Sequence, residues 1–442
     1  MRIYSRKCWL DGRLQEATLR VENGRIAAIQ QGSPANKEGI VDCGDHVLMP
    51  GVIDAHVHIN EPGRTEWEGF DTATQAAAAG GTTTLVEMPL NASPVTTSAA
   101  ALQEKLHAAK GKTHVHCGFY GGLIPGNLHK LPALLQSGIW GMKAFLVHSG
   151  IDEFPNVSMR DLEESMPGIS AAGMPLLVHC EWEGDADMAL LNAQPTSYQA
   201  YLASRPKAWE NEAIRRMIDL CRRFQCPVHI VHLSSAEALD MIRRAKNEGL
   251  PLTVETCAQY LFFDAEDIPD GNTLFKCAPP IREKANNDLL RQAVAEGLID
   301  FIATDHSPAP PSVKALDTGN LQKAWGGIAG IQFLLPAAWT ALKNRMSLES
   351  FIPLLTEHPA RFLQMTPAKG ILQPGSDADF VVWSPETSFQ VTAEQILFRH
   401  PISPYVGQQL QGAVLETYVD GQLVFKNNKI ITKNAGRCLL RP

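Results

Sequence analysis

Met49-Pro50-Gly51-Val52-Ile53-Asp54-Ala55-His56-Val57-His58 carries an apolar run straight into two histidines spaced two apart. In an extended strand, residues i and i+2 face the same side, so both imidazoles reach one point. Few arrangements short of a helical His-x-x-x-His grip a metal so economically. The pair alone is weak evidence, because His-x-His also arises on half-buried strands. What surrounds it decides.

Seven further β-rich runs follow, separated by helix-like stretches: 83–88, 113–119, 139–146, 175–180, 227–233, 251–256 and 299–304. With 52–58 they make eight, and most are apolar throughout, as parallel strands covered on both faces should be. Ala99–Ala109 is Ala- and Leu-rich, Glu212–Phe224 gathers Ile214, Met217, Ile218 and Cys221 on one face, and Ala236–Glu248 repeats that pattern. Eight β-then-α units predict an α/β fold, a (β/α)8 TIM-type barrel, which needs roughly 250 residues. An open doubly wound sheet is the rival, disfavoured by the count of eight and by the absence of Gly-x-Gly-x-x-Gly.

The ends read differently. Asp11-Gly12, Asn23-Gly24 and Asp420-Gly421 are hairpin signals between strand-like segments. A lone hairpin is marginal, so both termini are expected to build one small β-sandwich domain. Residues 1–50 with 371–442 form that domain in this reading, and 51–370 form the barrel.

The chain has 442 residues, 45% hydrophobic and 19% charged, which is ordinary for a globular enzyme. A net charge of -8 without basic runs excludes nucleic acid as the main partner. Nine cysteines at irregular spacing read as reduced thiols in a cytoplasmic compartment. No signal-peptide pattern or membrane-length apolar run is present in the sequence.

In such a barrel, working residues sit at the C-terminal ends of strands. His56, His58, His179, His232 and Asp305 end runs there, and Lys143 lies within the fourth. Each has a plain structural alternative: a hydrogen-bonded histidine, a buried salt-bridge lysine, or an Asp capping a helix. All six at one mouth make metal binding the better account. Four neutral imidazoles and one carboxylate would leave two divalent cations poorly compensated. Lys143 supplies a bridging anion if its amine, kept neutral by burial, reacts with carbon dioxide to give a carbamate. His114-Val115-His116 is a second His-x-His, but it begins a strand and reads as structural. His229 and His306 are expected to face away.

These positions resemble the amidohydrolase superfamily, in its cyclic-amide branch of dihydroorotases, hydantoinases and allantoinases. The likeness runs nearly end to end and includes Lys369-Gly370-Ile371-Leu372-Gln373-Pro374-Gly375-Ser376-Asp377-Ala378-Asp379-Phe380. It implies two metals held by His56, His58, carboxylated Lys143, His179, His232 and Asp305. Zinc is the expected metal, with cobalt, manganese, nickel and iron as alternatives.

Within the branch, residues 60–70, 87–91, 277–282, 323–328 and 403–407 are similar to the allantoinase signature. Dihydroorotases typically carry an Arg two residues after the second His, for a substrate carboxylate; here stands Asn60, which suits an uncharged ureide. Arg64 is near enough to be a substitute anchor, or a surface arginine. Hydantoinases usually place a Tyr five residues beyond the carbamate lysine, where this chain has His148.

The resemblance implies ring-opening of allantoin to allantoate at a binuclear centre with a bridging hydroxide. Asp305 is the general acid/base, and Asn60, Asn91 and His148 are candidate substrate contacts. Dihydroorotase and hydantoinase or dihydropyrimidinase are the alternatives, and a metal-free scaffold homologue is the alternative of another class. The resemblance also implies a homotetramer acting on a small molecule.

Overall fold

The computed structural model describes residues 1–36 and 38–442. Its first strands are β1 (Arg2–Leu10), β2 (Arg13–Glu22), β3 (Arg25–Gln31), β4 (Ile40–Asp42) and β5 (Val47–Pro50). The barrel strands are β6 (Val52–Val57), β7 (Thr82–Glu87), β8 (His116–Phe119), β9 (Gly121–Gly122), β10 (Met142–Phe145), β11 (Leu176–His179), β12 (Val228–Ile230), β13 (Leu252–Cys257) and β14 (Phe301–Ala303). The chain closes with β15 (Phe380–Gln390), β16 (Gln409–Val419), β17 (Gln422–Lys426) and β18 (Lys429–Ile430).

β6, β7 and β8 pair in parallel, and β9 to β14 form a second parallel arc. Tyr120 alone separates β8 from β9, so the two act as one bent stave and the count is eight. Trp140 N donates to Phe119 O (2.9 Å) across one seam. Across the other, His58 N donates to His306 O (2.8 Å), and buried Asp54 accepts from Thr304 N (3.2 Å). Each of the eight expected runs contains a strand, but most strands are shorter. Pro227–Leu233 shrinks to Val228–Ile230 because the chain turns at His232, whose φ is +42°.

Helix Ala99–Ala109 lies where its sequence puts it, with the Ser98 hydroxyl accepting from Ala101 N (3.2 Å). Helix Lys207–Phe224 starts five residues before the expected Glu212, directly after Pro206. Its first turn buries Trp209 and Glu210, and a buried Glu breaks the amphipathic pattern that set the expected boundary. Residues 236–247 split into a 3-10 turn, Ala236–Ala238, and a helix, Leu239–Asn247.

Strands from both ends of the chain share one nine-stranded sheet, ordered β18-β17-β16-β15-β5-β1-β2-β3, with β4 on β1. The expected sandwich is thus one continuous, bulged sheet whose halves share a core containing Ile3, Leu19, Ile26, Phe380 and Tyr418. Its tight turns hold Asp11-Gly12, Asn23-Gly24 and Asp420-Gly421 at positive φ, the geometry that matches hairpin twist. The last residues leave that sheet. Leu439 N donates to Cys117 O (2.8 Å) and Arg441 N to Gly138 O (2.8 Å), so the tail runs along the barrel base.

Candidate metal centre

His56 lies in β6, and His58 follows its end. Their Nε2 atoms both stand 3.2 Å from Asp305 Oδ1. The ring centroids of His56 and His232 are 5.5 Å apart, and those of His179 and His232 are 4.6 Å apart. Lys143 Nζ sits 5.0 Å from the centre of the Phe145 ring, and that ring stacks on His179 at 4.5 Å. All six residues line one cavity of about 440 Å³, a size suited to a small ligand. All six are buried.

Two carboxylates orient the imidazoles from behind. Glu255, in β13, bonds His56 Nδ1, which leaves His56 Nε2 toward Asp305. Glu181 Oε2 bonds His179 Nε2 (2.7 Å), which leaves Nδ1 for the cavity. Outer partners of this kind set which ring nitrogen is free and raise its basicity. Arg205 clasps Glu181 through Nε (3.0 Å) and Nη2. His229 contributes as well: its Nε2 bonds Glu255 (3.1 Å) and its Nδ1 bonds Thr253 Oγ1 (2.8 Å). The expectation that His229 faces away is therefore corrected. It lies inside the barrel, because His232 has already left the strand and the alternation no longer relates the two.

Burial drives the imidazoles of His58 (to about 4), His179 and His232 down, so each stays neutral with a lone pair available. Burial also lowers His56, but Glu255 and Asp305 outweigh it and raise the ring to about 9. A proton on His56 thus occupies the place a cation would take. Burial lowers Lys143 to about 8, against the pull of Asp305 and Glu255. Among the described residues, Lys143 Nζ, His58 Nδ1 and His232 Nδ1 are buried without hydrogen-bond partners. Unpaired buried donors and acceptors are costly, and ligation to cations would satisfy them. The donor set of imidazoles, carboxylate and a carboxylatable amine fits divalent transition metals.

The other expected contacts divide. Asn91 and His148 line the cavity, His148 at its mouth and more than half exposed. Asn60 does not line it; the side chain is buried and donates to Pro308 O (3.2 Å). Arg64 is spent on Asn91 O (3.2 Å) and Glu153 (2.9 Å). His306 lies as expected, its Nδ1 accepting from Gly330 N (3.1 Å). Sequence reasoning missed Glu181, Glu255 and Arg205. A lone Glu inside the otherwise uncharged strand Leu252–Cys257 was the available signal for Glu255.

Histidines, a lysine and an aspartate converging at the C-terminal mouth of a parallel barrel define a class, the metal-dependent barrel hydrolases. Residues 47–424 match the Amidohydrolase family model, and the chain belongs to that family. It is 44% identical to an allantoinase of Arabidopsis thaliana over 412 residues, 90% of this chain and 81% of that one. It is 38% identical to an allantoinase of Saccharomyces cerevisiae, covering 95% and 94% of the two chains. Among solved structures, an L-hydantoinase (dihydropyrimidinase) from Arthrobacter aurescens superposes with a TM-score of 0.92 at 31% identity, covering 99% of each chain.

Proposed function

We propose that this protein hydrolyses the cyclic amide of allantoin to give allantoate. The buried mouth constellation supports the reaction class, above all the partnerless Lys143 amine beside four imidazoles and Asp305. The substrate rests on the likeness to curated allantoinases over most of the chain. Dihydroorotase and hydantoinase are less well supported alternatives.

His56, His58, His179, His232 and Asp305, with Lys143 as a carbamate, would hold two divalent cations, zinc foremost. Such cations supply a nucleophile by bringing the pKa of water to about 7, and they polarise a carbonyl oxygen. Glu255 and Glu181 keep the ring nitrogens of His56 and His179 turned to their task. Asp305 is held ionised: burial opposes this, but His56 and His58 outweigh it. It can take a proton from the attacking water and deliver it to the departing ring nitrogen. That delivery is needed because an amide anion leaves poorly. Asn91 and His148, both in the cavity lining, are the proposed contacts to the ureide.

Among the described residues no helix is long and apolar enough to cross a membrane. A cytoplasmic homotetramer is the proposed setting, and light scattering reads the mass. The deciding experiment is allantoin turnover before and after metal removal, then after adding zinc with bicarbonate. Turnover lost and regained supports the reading; no metal-dependent turnover of allantoin overturns it.

A further inference from the structure

Residues 322–327 wall one side of the cavity, contributing Gln322, Trp325, Gly326 and Gly327 to its lining. Two lysines with no carboxylate partner among the described residues hold this wall: Lys314 stands behind it, and Lys276 itself lines the cavity. Lys314 is 3% exposed, and its Nζ donates to Trp325 O (3.1 Å) and Gly327 O (2.7 Å). Lys276 Nζ donates to Ala324 O (2.5 Å) and Gln322 O (3.4 Å). Four carbonyls in six consecutive residues are thus drawn to two amines, of which Lys314 lies outside the cavity lining.

Burial lowers these amines, Lys314 to about 7 and Lys276 to about 8. A lysine is an expensive way to fill space, and a methionine would fill it with no buried polar group. The donors must therefore matter for what they hold. In a trans peptide the C=O and N–H point in opposite directions. Drawing the Trp325 carbonyl toward Lys314 turns the Gly326 N–H the other way. That N–H has no hydrogen-bond partner among the described residues, and Gly326 borders the cavity. A Cβ built on Gly326 would meet nothing within 4 Å, so the space before it is open.

We propose that Lys314 is a positioning residue that aims the Gly326 N–H at a carbonyl of the uncharged ureide ligand. Lys314, outside the cavity lining, does not touch the ligand and acts through the peptide plane. The inference rests on the proposed ureide substrate.

The test is steady-state kinetics of metal-loaded Lys314→Met and Lys314→Gln on allantoin and on hydantoin, with metal content and thermal midpoint measured alongside. Lys314→Met is expected to raise KM for allantoin about tenfold or more, with kcat changed less than about threefold and metal content unchanged, since uniform ligand binding is lost. Lys314→Gln keeps a donor and is expected to recover part of the KM. A KM within twofold of wild type in Lys314→Met overturns the proposal, whatever the thermal midpoint does. If that variant does not fold, Lys314→Leu carries the same comparison. A wild type that opens hydantoin but not allantoin overturns the substrate reading alone, and the KM shift is then read on hydantoin. If neither ring opens, calorimetric Kd of allantoin on the loaded protein replaces KM.

Discussion

The chain writes His-Val-His twice, at 56–58 and at 114–116, and the two copies sit at opposite ends of the barrel. At the mouth, His56 and His58 share Asp305, and the Lys143 amine has no hydrogen-bond partner among the described residues. At the base the histidines face acids and backbone donors instead. His114 bonds Asp71 through Nε2 (2.9 Å) and accepts from Asn434 N through Nδ1 (3.3 Å). His116 accepts from Arg437 N through Nδ1 (3.3 Å), so its Nε2 carries the hydrogen toward Asp379 (3.4 Å) and Asp420 (3.6 Å). Those acids are already balanced by Lys369 and Arg437. The geometry of His116, Asp379 and Asp420 would admit an ion, but the occupied lone pair and the cations already present would not. The two copies of one motif differ in their neighbours: paired lysine and arginine at the base, an amine without a hydrogen-bond partner among the described residues at the mouth.

The comparison can be broken most forcefully by mutating both copies. His56→Asn or His58→Asn is expected to lower kcat/KM roughly a thousandfold and empty the site, by elemental analysis, because several kcal/mol of charge stabilisation go with the metal. His116→Asn is expected to keep metal and rate and to lose about 1–3 kcal/mol in urea unfolding. Equal metal loss in both would erase the distinction. Next in size, Lys143→Ala should lose binuclear occupancy and most of its rate, with partial rescue by a short carboxylic acid. Lys369→Ala at the base should show no such rescue.

Glu181→Gln sharpens the mouth further, with metal affinity or activity expected to fall about 10- to 100-fold. The smallest effect concerns pH. Lys369 is paired with acids, whereas Lys314 meets carbonyls, with Lys276 and Cys277 as its titratable neighbours. With Lys314 lowered to about 7, the unfolded chain binds the extra proton between that value and the ordinary lysine range, so stability rises with pH across this window. Urea unfolding at pH 7 and 9 should show the wild type gaining on Lys314→Met; a constant difference would contradict it.

Eight staves, the terminal sheet and the six mouth residues were legible because each rests on a local pattern: apolar runs, Asx-Gly turns, polar groups at strand ends. The supporting acids were not, since Glu181 and Arg205 meet across 24 positions, and Glu255 and His56 across 199. Asn60 shows a subtler limit. Its place in the motif distinguished substrates, but its side chain braces Pro308 rather than the ligand. Position within a pattern locates a residue along the chain, whereas positive φ, at Asn60 (+66°) and His232 (+42°), decides where it turns.

Gly51 alone joins β5, a strand of the terminal sheet, to β6, the strand that ends at the candidate metal site. A Cβ there would stand 2.1 Å from Thr83 Oγ1, so this joint is tight as well as short. One residue reaches at most about 3.6 Å, which leaves no slack to absorb movement. The sheet is consequently the handle of the first histidine pair: a shift of one is delivered to the other. Loosening the chain's two ends would be felt first at His56 and His58.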